Sequence, residues 1–165
     1  MLNFRARSVA AIAAAALVLP LPSSAAVLGP AAGVCTSGRG PAVLVRLTGL
    51  KNRAGTVRAR LFPGGNRASW FNKKAHIGRV EAATPDNGPV ELCVPVPRPG
   101  AYVVDIRHDI NNNSDTDRSD GGGASGNPKI SMLDIVFGRK PPAQQVVFNV
   151  GNGVTPITIA VSYAG

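Results

Sequence analysis

An antiparallel β-sandwich of about seven strands is the fold this sequence of 165 residues predicts. Two observations predict it. Apolar and polar residues alternate at period two in several stretches, the mark of half-buried strands. Gly- and Pro-rich breaks separate those stretches, and no stretch beyond the N-terminal leader repeats at helical spacing, which makes the chain all-β.

The leader reads "MLNFRARSVAAIAAAALVLPLPSSAAVLGP". Arg5 and Arg7 precede an apolar stretch from Val9 to Leu21, and small residues follow at Ser24 and Ala26. That order predicts a secretory signal peptide over residues 1–26, because the apolar run is shorter than the roughly 20 residues of a bilayer span. The expected mature chain, residues 27–165, fits one domain and is expected in the periplasm or outside the cell, with no transmembrane span.

The strands follow in order. In "VLVRLTGL" Val43, Val45 and Leu47 share a face, and in "GTVRARLF" Val57, Ala59 and Leu61 do so with Arg58 and Arg60 opposite. The intervening "KNRAG" predicts a hairpin. Pro63, Gly64 and Gly65 break the second strand before an irregular crossing in which Trp70 and Phe71 read as a core plug rather than a ligand platform. "GPVELCVPVP" aligns Val90, Leu92, Val94 and Val96, with Pro95 pointing to an edge. "GAYVVDIRHD" aligns Tyr102, Val104, Ile106 and His108. After a long acidic loop over about 109–128, "ISMLDIVFG" reads as a short helix or a strand. "QQVVFNV" and "TPITIAVSY" supply the last strands, the final one placing Ile157, Ile159, Val161 and Tyr163 on one face.

Cys35 and Cys93 both lie beyond the leader, and an oxidising compartment favours a disulfide between them over a pair of buried thiols. The spacing contains no CxxC, so neither a zinc ribbon nor a dithiol redox site is indicated. The formal charge is +9, and removal of the two leader arginines leaves +7. Residues 109–120 hold four Asp and one Arg, a local −3, so the rest of the mature chain carries +10. The basic body suits an anionic envelope component or polysaccharide as partner, and equally a solvated surface that simply keeps the protein soluble. Nucleic acid is disfavoured, since no binding motif or interleaved aromatics accompany the basic residues.

The loop "RHDINNNSDTDRSDGGG" offers a side-chain oxygen at nearly every second residue. Counted as an EF-hand-type loop, Asp109, Asn111, Asn113, Asp115 and Asp117 occupy positions 1, 3, 5, 7 and 9, and Asp120 occupies position 12. Ca²⁺ fits this oxygen-rich pattern. Ser114 at the position of the turn glycine and the short Asp120 in place of Glu imply weak affinity, roughly 10⁻⁴ to 10⁻³ M. The other reading is a run of Asx turns that needs no metal. Catalytic residues are not indicated. His76 and His108 are the only histidines, no nucleophile motif accompanies them, and Gly121–Gly123 follow a loop rather than opening a helix.

The strand "GAYVVDIRHD", the run of His108, Asp109, Asn111, Asn113 and Asp117, and the continuation "SDGGGASGNP" resemble the bacterial exported domain-of-unknown-function family 2141. "LVRLTGLKNRAGTVRARLF" and "ITIAVSY" extend the resemblance over most of the mature chain. It implies a small immunoglobulin-like or transthyretin-like sandwich and export rather than a particular activity. Family members commonly carry Gly where this chain has Asn112 and Ser114, and an aromatic where it has Ala124. The function expected is a non-enzymatic, exported binding module, its loop stabilised by Ca²⁺. The alternative is an accessory domain or weak hydrolase acting on carbohydrate or peptide, with His108 and Asp109 in a cleft.

Overall fold

The structure, a computed structural model, describes residues 26–129 and 139–164. Residues 1–25, where the signal peptide is expected, and "ISMLDIVFG", residues 130–138, expected as a short helix or strand, lie outside the described residues. Among them ten strands form two sheets. In chain order the elements are β1 (Val27–Leu28), α1 (Ala32–Ser37), β2 (Ala42–Thr48), β3 (Thr56–Pro63), a 3₁₀ turn (Arg67–Ser69), β4 (Gly78–Ala83), β5 (Val90–Pro95), β6 (Gly100–Asp109) and β7 (Gly121–Ala124). They continue with α2 (Ala143–Val146), β8 (Phe148–Val150), β9 (Val154–Ala160) and β10 (Ser162–Tyr163). The smaller sheet runs β1-β5-β2-β9, and the larger runs β10-β7-β6-β3-β4 with β8 also on β6. No helix among the described residues is long and apolar enough to cross a membrane.

Alternation along each strand decides which side chains meet between the sheets. Val43, Val45 and Leu47 of β2 lie level with Val94, Leu92 and Val90 of β5. Val57, Ala59 and Leu61 of β3 lie level with His108, Ile106 and Val104 of β6. These two apolar rows, with Val80, Ile159 and Val161, form one buried core shared by both sheets. Each fully buried aliphatic side chain contributes about 1.5–3 kcal/mol, so this shared row is what holds the sheets face to face.

Strand pairing differs from the sequence expectation in several places. The "KNRAG" hairpin does not form: β2 and β3 belong to different sheets. Alternation names a strand's buried face but not its partner, and two strands with matching apolar faces can pack across the core as well as pair beside one another. The connection turns at Gly49 and Gly55, both at positive φ, and a Cβ on Gly55 would stand 1.8 Å from the Asp109 carbonyl oxygen. The larger sheet is antiparallel throughout, but in the smaller one β1 pairs β5, and β2 pairs β9, in parallel.

β4 and β7 were not expected as strands, and the first half of "QQVVFNV" is the short helix α2. The acidic loop is correspondingly shorter than 109–128, because Asp109 ends β6 and Gly121–Ala124 is strand. Glycine is rare in strands, yet here it is required. A Cβ on Gly121 would lie 2.5 Å from Val161 Cγ1 and the Tyr163 ring, and one on Gly123 would lie 2.7 Å from Ile159. Pro95 lies in β5 beyond the two residues that pair with β1, Glu91 and Leu92, so its missing N–H interrupts no ladder on that side.

Cys35 and Cys93 are joined by a disulfide. α1 itself buries no residue. The bond therefore fastens a surface helix to the middle of β5, whose Cys93 is fully buried.

Candidate functional site

Side chains on the outer face of the larger sheet alternate with the core row. From β3 this face carries Arg58, Arg60 and Phe62; from β6 it carries Val103, Asp105, Arg107 and Asp109. One end is apolar: Phe62, Trp70, Val103 and Val146 make a second small core. Trp70 plugs it, 1% exposed, with its indole N–H donating to the Pro63 carbonyl at 2.9 Å. Of the expected Trp70–Phe71 plug, Trp70 is thus buried, outside the sandwich interior rather than within it, and Phe71 packs against it half-buried.

Beyond this plug the face becomes charged and remains buried. Arg60 grips Asp105 through two nitrogens, Nε to Oδ1 at 2.9 Å and a second bond to Oδ2, and stacks over Phe62 at 5.5 Å. Arg107 pairs with Asp109 at 3.0 Å and donates to the Ser114 carbonyl at 2.9 Å. Arg58 differs. It is 9% exposed, its Nε–H meets no acceptor, and among the described residues no hydrogen bond or ion pair involves it. Burial first, then repulsion from Arg60 and Arg107, brings its pKa down to about 10, so it still carries its charge at neutral pH. Three buried guanidiniums thus share this face with the buried carboxylates of Asp105, Asp109 and Asp120, and Arg58 is the one that no carboxylate contacts among the described residues.

These arginines floor a cleft of ≈ 1000 Å³. One wall is the segment from Ala68 to Lys73, another the acidic loop through Thr116, Asp117 and Asp120, and a third the C-terminal strand through Ser162 and Tyr163. Among the described residues seven basic side chains line it against three carboxylates, a net +4. Gly122, level with Arg107 on β7, faces the cleft, and a Cβ there would meet nothing closer than 4.0 Å.

The acidic loop is held by hydrogen bonds among its own groups. Asp109 is 1% exposed, so it does not leave the sheet for solvent; its carboxylate accepts from Arg107 and from the backbone N–H groups of Asn113 and Ser114 at 3.2 and 2.9 Å. Asn111 and Asn113 both donate their side-chain amides to Asp117, at 2.7 and 3.0 Å. Their side-chain oxygens accept the N–H groups of Asn113 and Asp115, each two residues on, as Asx turns do. Bonds from Ser119 and Asn111 bring the Asp117 carboxyl down to about 2. Asp120 accepts the Asp117 N–H, its other oxygen is buried without a partner, and burial pushes its carboxyl up. The Asp115 side chain stands exposed. Five of the six predicted ligand residues are thus linked, largely through N–H donors directed at their oxygens. No group of three or more His, Cys, Asp or Glu side chains among the described residues is placed to hold a metal ion.

Asn112 and Ser114 have φ of 58° and 65°. Only glycine occupies that region without strain, and Asn tolerates it better than Ser.

His108 and Asp109 project to opposite faces of β6. His108 is fully buried on the core side. Its Nε2 lies 2.8 Å from the Ala54 carbonyl, which can only accept, so Nε2 donates. Nδ1 then accepts from the Tyr163 hydroxyl at 2.6 Å, and that oxygen in turn accepts the Lys51 N–H. Neither His108 nor Asp109 lines the cleft. His76 is a surface residue whose ring meets the Lys73 carbonyl at 3.0 Å.

Sequence reading alone did not single out Arg58, Arg60 and Arg107 as a site. The signal was present in "VRARLF", where arginines alternate with core residues, and again in "IRHD". It reads as a solvated face until a wall of loops is built over it.

The fold and site define a two-sheet β protein with one disulfide and a basic cleft on its larger sheet. The chain belongs to the family described as "Uncharacterized protein conserved in bacteria (DUF2141)", which matches residues 45–158, from β2 into β9. No curated protein and no solved structure matches the chain.

Proposed function

We propose that this chain is an exported binding module of the periplasm or cell exterior, without catalysis of its own, that holds an acidic polysaccharide in the arginine-floored cleft. The observation that carries the reading is the cleft itself: among the described residues its lining is net +4, and one of its buried arginines contacts no carboxylate. A buried charge without a partner is costly, and an anionic ligand removes that cost. Ile77 is the one large hydrophobic side chain exposed among the described residues, which favours a soluble polymer over a membrane surface. Export is supported by the leader pattern and by the Cys35–Cys93 bond, which an oxidising compartment maintains. The absence of catalysis is supported by His108, which is fully buried with both ring nitrogens engaged, by the Ala54 carbonyl and the Tyr163 hydroxyl. In this reading the acidic loop walls the cleft and needs no calcium.

Retention on immobilised dextran sulfate tests the proposal, with neutral dextran as control. A basic protein binds such a polymer non-specifically, so the comparison is between Arg58→Gln and Arg39→Gln, which remove the same charge inside and outside the cleft. Wild-type protein is expected to elute at the highest salt and Arg58→Gln well below Arg39→Gln. Equal shifts for the two variants would reduce the interaction to net charge and end the proposal.

A further inference from the structure

We propose that Arg58 and Arg107 together form a site for one tetrahedral oxyanion, a phosphate or sulfate ester carried by the ligand; this rests on reading the cleft as the binding surface. The two residues are direct cross-strand neighbours, Arg58 of β3 level with Arg107 of β6, and Gly122 of β7 completes the row. Cross-strand side chains start only about 5 Å apart, and like charges there repel. Each of the two arginines nevertheless keeps a buried Nε–H without an acceptor. Arg107 has committed its other nitrogens to Asp109, Ser114 and Thr116. Arg60 offers no third free fork, because Asp105 holds it in two-point fashion.

The geometry selects the shape of the anion. A planar carboxylate is satisfied by one guanidinium fork, as Asp105 is by Arg60. Donors arriving from two adjacent strands suit an anion that presents oxygens in more than two directions. The open space over Gly122, where a side chain would begin, leaves room beside Arg107 for such a group. Two guanidiniums and a net positive lining also match a dianion better than a single charge.

Thermal melts and titration calorimetry with inorganic phosphate, sulfate and acetate at constant ionic strength test the site. Phosphate and sulfate are expected to raise the wild-type midpoint and bind saturably, and acetate to do neither. Arg58→Gln is expected to fold at least as well as wild type, since it removes an unpaired buried charge, and to bind phosphate about tenfold or more weakly. Should that variant fail to fold, the wild-type Arg Nε–H resonances report directly: those of Arg58 and Arg107 shift with phosphate and that of Arg60 does not. Glucose 6-phosphate is expected to compete with phosphate, while vesicles containing phosphatidylglycerol bind wild type and Arg58→Gln alike. Acetate matching phosphate, vesicle binding that alone depends on Arg58, or no phosphate effect on wild type would each overturn the assignment. Phosphate binding at Arg58 without retention on polysaccharide leaves this site standing and removes the polymer reading. Arg58-dependent retention on dextran sulfate without phosphate or sulfate binding does the reverse.

Discussion

Asp109 illustrates how far a single residue's environment changes its role. By sequence it is the first residue of an oxygen-rich loop. In the fold it is a buried carboxylate at the end of β6 that neutralises Arg107 and accepts two backbone N–H groups of the following turn. Removing one partner of a buried pair leaves the other charged and unsolvated, so Asp109→Ala is expected to cost about 3–5 kcal/mol. Asp117→Ala, in an exposed part of the same loop, is expected to cost far less. Urea denaturation of both variants checks this, and equal losses would show that Asp109 is not the anchor. The left-handed positions Asn112 and Ser114 belong to the same local logic: the chain must reverse immediately after Asp109 for its carboxylate to reach the N–H groups of residues 113 and 114.

At the scale of elements, the acidic loop and β7 act together. The loop returns the chain from the end of β6 to β7, whose glycines let the C-terminal strand close over it. Alternating Asn and Asp matched both a calcium cage and a run of Asx turns, and spacing does not separate the two, because both need an oxygen at every second residue. The hydrogen bonds favour the turns. A cation that binds only the folded state stabilises it by RT ln(1 + [L]/Kd), so a site of the affinity expected from the sequence, saturated about tenfold at 10 mM calcium, would raise the melting temperature by several degrees. The melting curve is instead expected to be unmoved between chelator and 10 mM calcium. A clear rise would mean that the loop rearranges to turn its oxygens inward.

For the whole molecule, the disulfide is the longest-range covalent tie, spanning 58 residues. Closing a loop of that size restricts the unfolded chain by roughly 4 kcal/mol in the chain-entropy account. The variant Cys35→Ala with Cys93→Ala is expected to lose about 2–5 kcal/mol and to melt several degrees lower. Hydrogen exchange is expected to rise first across residues 27–40, since α1 buries nothing of its own, while β3 and β6 stay protected. Uniform loss of protection would instead make the bond a determinant of the entire sandwich.

The sequence by itself determined the β class, the residues of β2, β3, β5, β6 and β9 that face the core, the segregation of charge and the pairing of the two cysteines. Those properties follow from periodicity, composition and a choice of one partner. Alternation placed Val57, Ala59 and Leu61 inward and Arg58 and Arg60 outward without knowledge of any neighbour. Tertiary structure decided the rest: that β2 and β3 lie in opposite sheets, that Gly121–Gly123 form a strand, and that Arg58 is buried with no carboxylate in contact among the described residues. Each of these depends on what stands across from a residue, and period-two patterning is blind to register. Arg60 and Arg58 look alike in "VRARLF"; only the pairing of β3 with β6 sets one level with Asp105 and the other level with Arg107.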